Sequence, residues 1–232
     1  MSDARNAIFA KIKAADAKRG KAAAPEAKSR LETPPPQLVP AIGKPAPEEA
    51  RDLFITKAIE LGCTVADCPS FEEVPEKVSA YLIEQESPQQ VILPVDEELS
   101  SLGWLAAGLS VSAQTGSDAL DGNTSVTRAI AGVAETGAVA VASSSKYPVS
   151  LGLLPDRHIF VLKVDEITGG YEDVWKVARA AKDNQGMSRA LNLVGGPSRT
   201  ADIEATLVMG AHGPRTVHII LIGDDQEAQK PA

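Results

Sequence analysis

Between Arg128 and Lys146 runs a seventeen-residue segment, AIAGVAETGAVAVASSS, in which Glu135 is the only charged side chain. A carboxyl group held against apolar packing can serve as a general acid, a general base or a nucleophile. The alternative is that Glu135-Thr136-Gly137 is a turn between two strands with its carboxylate in water, since Gly favours turns. Thr127 precedes the segment, and Ser143, Ser144, Ser145 and Lys146 end it. That hydroxyl cluster can hydrogen-bond an anionic ligand, or be a plain Ser-rich loop.

A second stretch, Gly195-Gly196-Pro197-Ser198-Arg199-Thr200-Ala201-Asp202, follows the apolar run Leu191–Val194. In open α/β sheets, ligands bind where strand ends feed helix N-termini. Gly196 allows close backbone approach, Ser198 and Thr200 supply hydroxyls, and Arg199 supplies a cation. Without the Lys-Ser/Thr pair this is not a phosphate-binding Walker loop. Asp202 and Glu204 already complement a helix dipole, so a tight capped strand–helix turn is the competing reading. The third stretch is Gly210-Ala211-His212-Gly213-Pro214. His212, among small residues, can project into a cleft to shuttle a proton or receive a carboxylate, or be an ordinary loop histidine.

Other candidates carry less. His158 and His218 lie in apolar runs and read as core or strand-end histidines. Three scattered histidines show no metal-ligand spacing. Asp118, Asp121 and Asn123 suggest a calcium loop, but Ala129 stands where its closing Glu belongs. Cys63 and Cys68 are not a C-x-x-C pair and read as inert. Two cysteines exclude a disulfide scaffold and a four-thiolate zinc or iron–sulfur site within these residues.

The elements that must position these groups alternate. Helical spacing is expected over 48–61 (Ala50, Leu53, Phe54, Ala58, Leu61), stopped by Gly62, and over 71–84 (Val74, Val78, Tyr81, Leu82). A helical turn or two is expected over 97–104, a helix over 172–181 and a short helix over 202–209. Strands are expected at 63–66, 90–93, 126–129, 138–142, 158–164, 190–194 and 216–222, with 126–129 and 138–142 flanking one turn. Strands 158–164 and 216–222 are apolar on both faces, which marks a mainly parallel sheet flanked by helices; the fold class is α/β.

Four regions are expected. Residues 1–21 form a basic amphipathic arm, with Ile8, Ile12 and Ala15 at helical spacing. Residues 22–47 form a Pro/Ala-rich tether, 48–223 the α/β domain, and 224–232 a disordered tail. Residues 1–30 carry eight basic and three acidic side chains, a net of +5, so the remainder of this −8 chain carries −13. The arm can dock on a partner or subunit, touch an anionic membrane, or stay solvated. The acidic whole argues against nucleic acid. No apolar run reaches the roughly 20 residues a bilayer span needs, and no signal peptide is visible, so a cytoplasmic home is expected.

Taken in order, Thr127-Arg128-Ala129, Ile130 through Gly137, Leu154-Pro155-Asp156-Arg157-His158-Ile159, Gly196 through Glu204 and Gly210 through Pro214 resemble the LUD (lactate utilization) domain, with the lactate-utilization protein C branch the nearest match. The resemblance spans about 48–223, with Ala138 and the long Pro-rich tether as departures. It implies a fold similar to the NagB/ribose-5-phosphate isomerase/CoA-transferase group. It also implies a part in oxidising L-lactate to pyruvate beside iron–sulfur partner proteins, with no cofactor in this chain. In the CoA-transferase relatives a Glu-x-Gly glutamate is the nucleophile, and Glu135-Thr136-Gly137 is similar by fold analogy. The expected catalytic residue is therefore Glu135. The expected ligand-binding residues are Thr127, Gly196, Ser198, Arg199, Thr200 and His212, gathered at one sheet rim around a small-molecule substrate, with no metal ligand. Alternatives are an independent CoA-transferase or isomerase-like enzyme using Glu135, and a small-molecule-binding adaptor.

Overall fold

Pro47 opens the first helix of the α/β body, where its missing N–H costs nothing; Glu48 and Glu49 fill the first turn and Lys57 the last. In this computed structural model the structure describes residues 2–19, 28–30, 32–33, 38–113, 123–180, 186–203, 206–210 and 212–223. The expected tail at 224–232, the loop at 114–122 and much of the tether lie outside the described residues. The chain divides into two units, Met1–Leu38 and Val39–Ala232. The first contains helix α1 (Ser2–Arg19), whose Ile8, Phe9 and Ile12 are exposed.

In the second unit, ordered structure begins with a 3-10 turn at Ala41–Gly43, whose Gly43 is buried, so part of the expected tether is packed. Then follow helix α2 (Pro47–Glu60), strand β1 (Thr64–Cys68), helix α3 (Val74–Glu84), β2 (Gln90–Leu93), the short α4 (Glu97–Ser100) and β3 (Ser110–Ala113). Next come β4 (Thr124–Arg128), β5 (Ala131–Val133), β6 (Ala138–Ala142), α5 (Ser150–Leu153), β7 (Arg157–Lys163), β8 (Ile167–Thr168) and α6 (Tyr171–Ala180). The chain continues through β9 (Leu191–Val194), β10 (Arg199–Ile203), β11 (Thr206–Met209) and β12 (Thr216–Ile222).

The expected parallel sheet is present. Six strands pair in the order β1-β12-β7-β4-β2-β3, every pair parallel. Alternation along β7 and β12 sorts their apolar residues onto two faces. Ile159, Val161, Ile220 and Ile222 pack with Val78 and Leu82 of α3, while Phe160, Leu162, Ile219 and Leu221 pack with Phe54 and Ala58 of α2. Phe54 is fully buried; such a side chain contributes about 2–3 kcal/mol.

Two expectations need correction, and one strand was not expected. Residues 126–129 and 138–142 do not flank one turn of one sheet. β6 instead pairs antiparallel with β5 in a second, four-stranded sheet ordered β8-β5-β6-β9. Its Ala131, Val133 and Ala140 pack under Val174 of α6. The helix expected over 202–209 is absent: β10 and β11 form an antiparallel ribbon, with a register shift between Thr200 and Ile203. Strand β3 carries no strong strand signal in its Ser-Val-Ser-Ala sequence, yet it forms a parallel edge beside β2.

Candidate functional site

The strand order locates a crevice before any side chain is considered. From β2 the chain steps outward to β3, whereas β4, β7 and β12 succeed one another in the opposite direction. In open α/β sheets such a reversal leaves a crevice at the carboxyl ends of the strands, where ligands bind. Here it lies beyond Leu93 of β2 and Arg128 of β4. A cleft of about 530 Å3 is present, lined by Leu93, Asp96, Val111, Ser145 and Lys146 among others.

The Arg128 side chain, only 14% exposed, ends β4 and is not among the residues that line this cleft. Its Nη1 donates to Glu98 Oε2 at 3.0 Å and its Nη2 to Glu166 Oε1 at 2.5 Å. Its guanidinium carbon lies 5.5 Å from the Phe71 ring centre. Glu166 is held a second time, its Oε2 accepting from the Lys163 backbone N–H at 3.0 Å. Asp96 caps α4, accepting from the Glu98 and Leu99 backbone N–H groups. The Ser144 hydroxyl accepts from the Lys146 and Tyr147 backbone N–H groups and so shapes the Ser143–Tyr147 turn. Burial, reinforced by the negative charge of Asp96, pushes the Tyr147 phenol well above its ordinary range, so it stays a neutral hydroxyl.

Tyr147 also lines a small cavity of about 30 Å3 between the two sheets, together with Thr127, Ser143, His158 and Asn192. Thr127 is buried, and its Oγ1 lies 2.7 Å from His158 Nε2. Desolvation drives the His158 pKa down to about 3, with the Gly152 backbone pulling weakly the other way. The ring is therefore neutral, a core histidine rather than a shuttle at physiological pH.

The remaining expected site residues occupy separate places. Glu135 does sit in a turn, between β5 and β6, but it is half-buried: its Oε1 accepts from the Tyr171 N–H at 3.1 Å, at the N-terminus of α6. Gly43 and Gly170 make room for it; a Cβ on Gly43 would stand 2.9 Å from Glu135 Oε2, and one on Gly170 3.2 Å from Oε1. The Glu172 carboxylate approaches the same Gly170, 3.1 Å from that Cβ position. Glu135→Ala is expected to cost about 1–2 kcal/mol, the loss of a helix N-terminal acceptor. Glu135→Gln, whose amide oxygen still accepts, should retain most of that. Urea unfolding at pH 7 measures both, and an unshifted midpoint for the alanine variant would remove the capping role.

Ser198 and His212 do meet: the His212 N–H donates to Ser198 Oγ at 3.2 Å, while the Ser198 N–H donates to the Pro214 carbonyl at 2.8 Å. Together they close the base of the β10–β11 ribbon. Arg199 reaches the end of α2, donating to the Leu61 carbonyl at 2.8 Å, where a cation suits the helix dipole. Gly196 also lies against Leu61. Thr200 sits in β10, opposite Val208. None of these, nor Glu135, lines the crevice, the small cavity or a third cleft of about 590 Å3 beside Arg51 and Lys163. The three stretches do not converge on any of these three cavities, and among the expected site residues Thr127 is the one that lines one of them. Spacing alone missed Arg128, Glu98, Glu166 and Tyr147. The one available signal was Arg128, a cation at the end of an otherwise uncharged strand.

The LUD domain family model matches residues 52–222. A protein of Escherichia coli (strain K12), named uncharacterized protein YkgG, is 29% identical over 185 residues, covering 73% of this chain and 78% of its own length. Lactate utilization protein C of Bacillus subtilis (strain 168) is 28% identical over 170 residues, 66% of this chain and 69% of that protein. Lactate utilization protein C 1 of Bacillus mycoides (strain KBAB4) is 34% identical over 96 residues, 40% of each chain. A crystal structure of a DUF162 family protein from Deinococcus radiodurans superposes with a TM-score of 0.58 at 20% identity. It covers 78% of this chain and all of that one, a likeness of fold.

Proposed function

This chain belongs to the LUD domain family, on the lactate utilization protein C branch, and we propose that it serves lactate utilization as a non-redox component that holds a small carboxylate substrate at the β2–β4 crevice. The observation that carries the substrate-holding role is the crevice itself, at the point where strand order reverses, with Lys146 on its wall. The pathway comes from the relatives' names.

The residues present do not fit an iron–sulfur cluster. Such clusters take about four thiolates, and the chain has two cysteines, both buried. Burial pushes the Cys63 thiol up to about 11, so it stays protonated. In this reading the oxidation of L-lactate to pyruvate runs through redox centres in iron–sulfur partner proteins. This chain's part is to bind and orient the substrate or a partner in the cytoplasm.

Deletion of the gene tests this. Growth on L-lactate as sole carbon source should fail while growth on pyruvate continues, and affinity purification of the tagged chain from lactate-grown cells should recover an iron-containing partner. Normal growth of the deletion strain on L-lactate would end the proposal. A second reading, an independent acyl-transferase using Glu135, is disfavoured because that carboxylate is engaged at the α6 N-terminus and lines none of the three cavities.

A further inference from the structure

We propose that the cleft at the carboxyl ends of β1, β12 and β7 is a second binding site, whose ligand is a monocarboxylic acid with an aliphatic chain; this reading is independent of the substrate-holding role proposed above. Pro69 follows β1, Gly223 follows β12 and Lys163 ends β7, and all three line this cleft. The three strands are adjacent and parallel, so their carboxyl ends open on one rim of the sheet, where open α/β folds take their ligands. The volume of about 590 Å3 falls in the range of small-molecule pockets. The cleft shares no lining residue with the β2–β4 crevice.

The lining sets the chemistry of the ligand. Ala50, Val164, Ile167 and Ile222 give the cleft an apolar wall that suits an aliphatic chain. Two cations also line it, and they are not equivalent. Arg51 is already engaged: its Nη2 donates to Asp67 Oδ1 at 2.6 Å and its Nη1 to Asp52 Oδ1 at 3.3 Å. Lys163 is half-buried, and its ammonium has no ion pair or hydrogen bond among the described residues. An ammonium is a compact point charge with three donors, able to receive one carboxylate without a fixed fork geometry. Asp165 lines the same cleft, and with Asp52 and Asp67 it opposes a second negative charge. A single carboxylate therefore fits better than a phosphate monoester, which carries nearly two charges at neutral pH.

The test is an NMR titration of the full chain with sodium butanoate, sodium hexanoate and, as an uncharged control, hexan-1-ol. Hexanoate is expected to shift the backbone amides of Val164 and Gly223. It should bind about tenfold more tightly than butanoate, because two further methylenes meet the apolar wall. Lys163→Gln removes the charge and is expected to weaken both acids by about tenfold while leaving the alcohol unchanged. Asp165→Asn changes an exposed side chain and should tighten both acids about twofold, so the proposal can be judged even if the Lys163 variant is destabilised. Equal binding of hexanol and hexanoate, or acid affinities unmoved in both variants, overturns the site. Hexanoate shifts confined to Val111 and Lys146 would place the acid in the β2–β4 crevice: this inference fails and the substrate-holding role stands. No binding of hexanoate at millimolar concentration overturns this site and leaves that role untouched.

Discussion

Acidification from pH 6.5 to 5 is expected to remove about 3 kcal/mol of folding stability through two buried histidines. His158 is 1% exposed and its pKa falls to about 3; His218 is 5% exposed and falls to about 4. Desolvation is the main cause in both. Each ring nevertheless keeps a Thr hydroxyl, His158 that of Thr127 at 2.7 Å and His218 that of Thr64 at 2.7 Å, and His218 stacks on Tyr81. A histidine whose folded pKa lies below its unfolded value binds its proton more tightly when the chain unfolds. Its stabilisation is therefore complete above about pH 6.5 and is lost as pH falls toward the folded pKa. Each contributes a slope that rises from about 0.7 kcal/mol per pH unit at pH 6.5 toward about 1.4 near pH 5. Urea unfolding at half-unit pH steps measures it. Replacing either histidine with Gln should halve the slope, and a flat profile between pH 6.5 and 5 in the wild-type chain would refute the account.

Gly137→Ala is expected to cost at least about 3 kcal/mol, far more than a helix-cap loss. Gly137 has a φ of +74°, the left-handed region that favours glycine, in the turn between β5 and β6. A Cβ there would stand 2.2 Å from the Ala58 backbone nitrogen and 2.3 Å from the Lys57 carbonyl carbon. Neither atom can yield, because both belong to α2, whose Phe54 and Ala58 are fully buried. Gly108 is the control. Its φ is +81°, but nothing lies within 4 Å of the Cβ position, so Gly108→Ala should cost only about 1 kcal/mol of backbone strain. Equal losses in the two variants would show that backbone conformation dominates and that the approach to α2 is unimportant.

Much of the α/β body was legible from composition and periodicity. The unbroken apolar runs of β7 and β12 can only be strands covered on both faces, and the spacing of Val74, Val78 and Leu82 can only bury one helix face. The ribbon at 199–209 carries a helix-like signature in sequence, because Ile203 and Leu207 stand four apart and the strand alternation there is weak. Charge isolation did single out Glu135. That signal arises equally from a reactive carboxylate and from one that caps a helix 36 residues away, and the Tyr171 N–H bond shows the second arrangement.

By itself, then, the sequence determined the fold class, the family, and the absence of enough thiolates for a cluster, because each depends on residue type, order or local period. Where the candidate crevice lies was decided only by tertiary structure. Its lining residues Leu93, Val111 and Lys146 come from three separate segments, and what unites them is the tertiary arrangement of the sheet. Parallel strands are joined through intervening helices and turns, so nothing local in the chain states which carboxyl ends will be neighbours. That order is fixed by the non-local burial of two sheet faces at once.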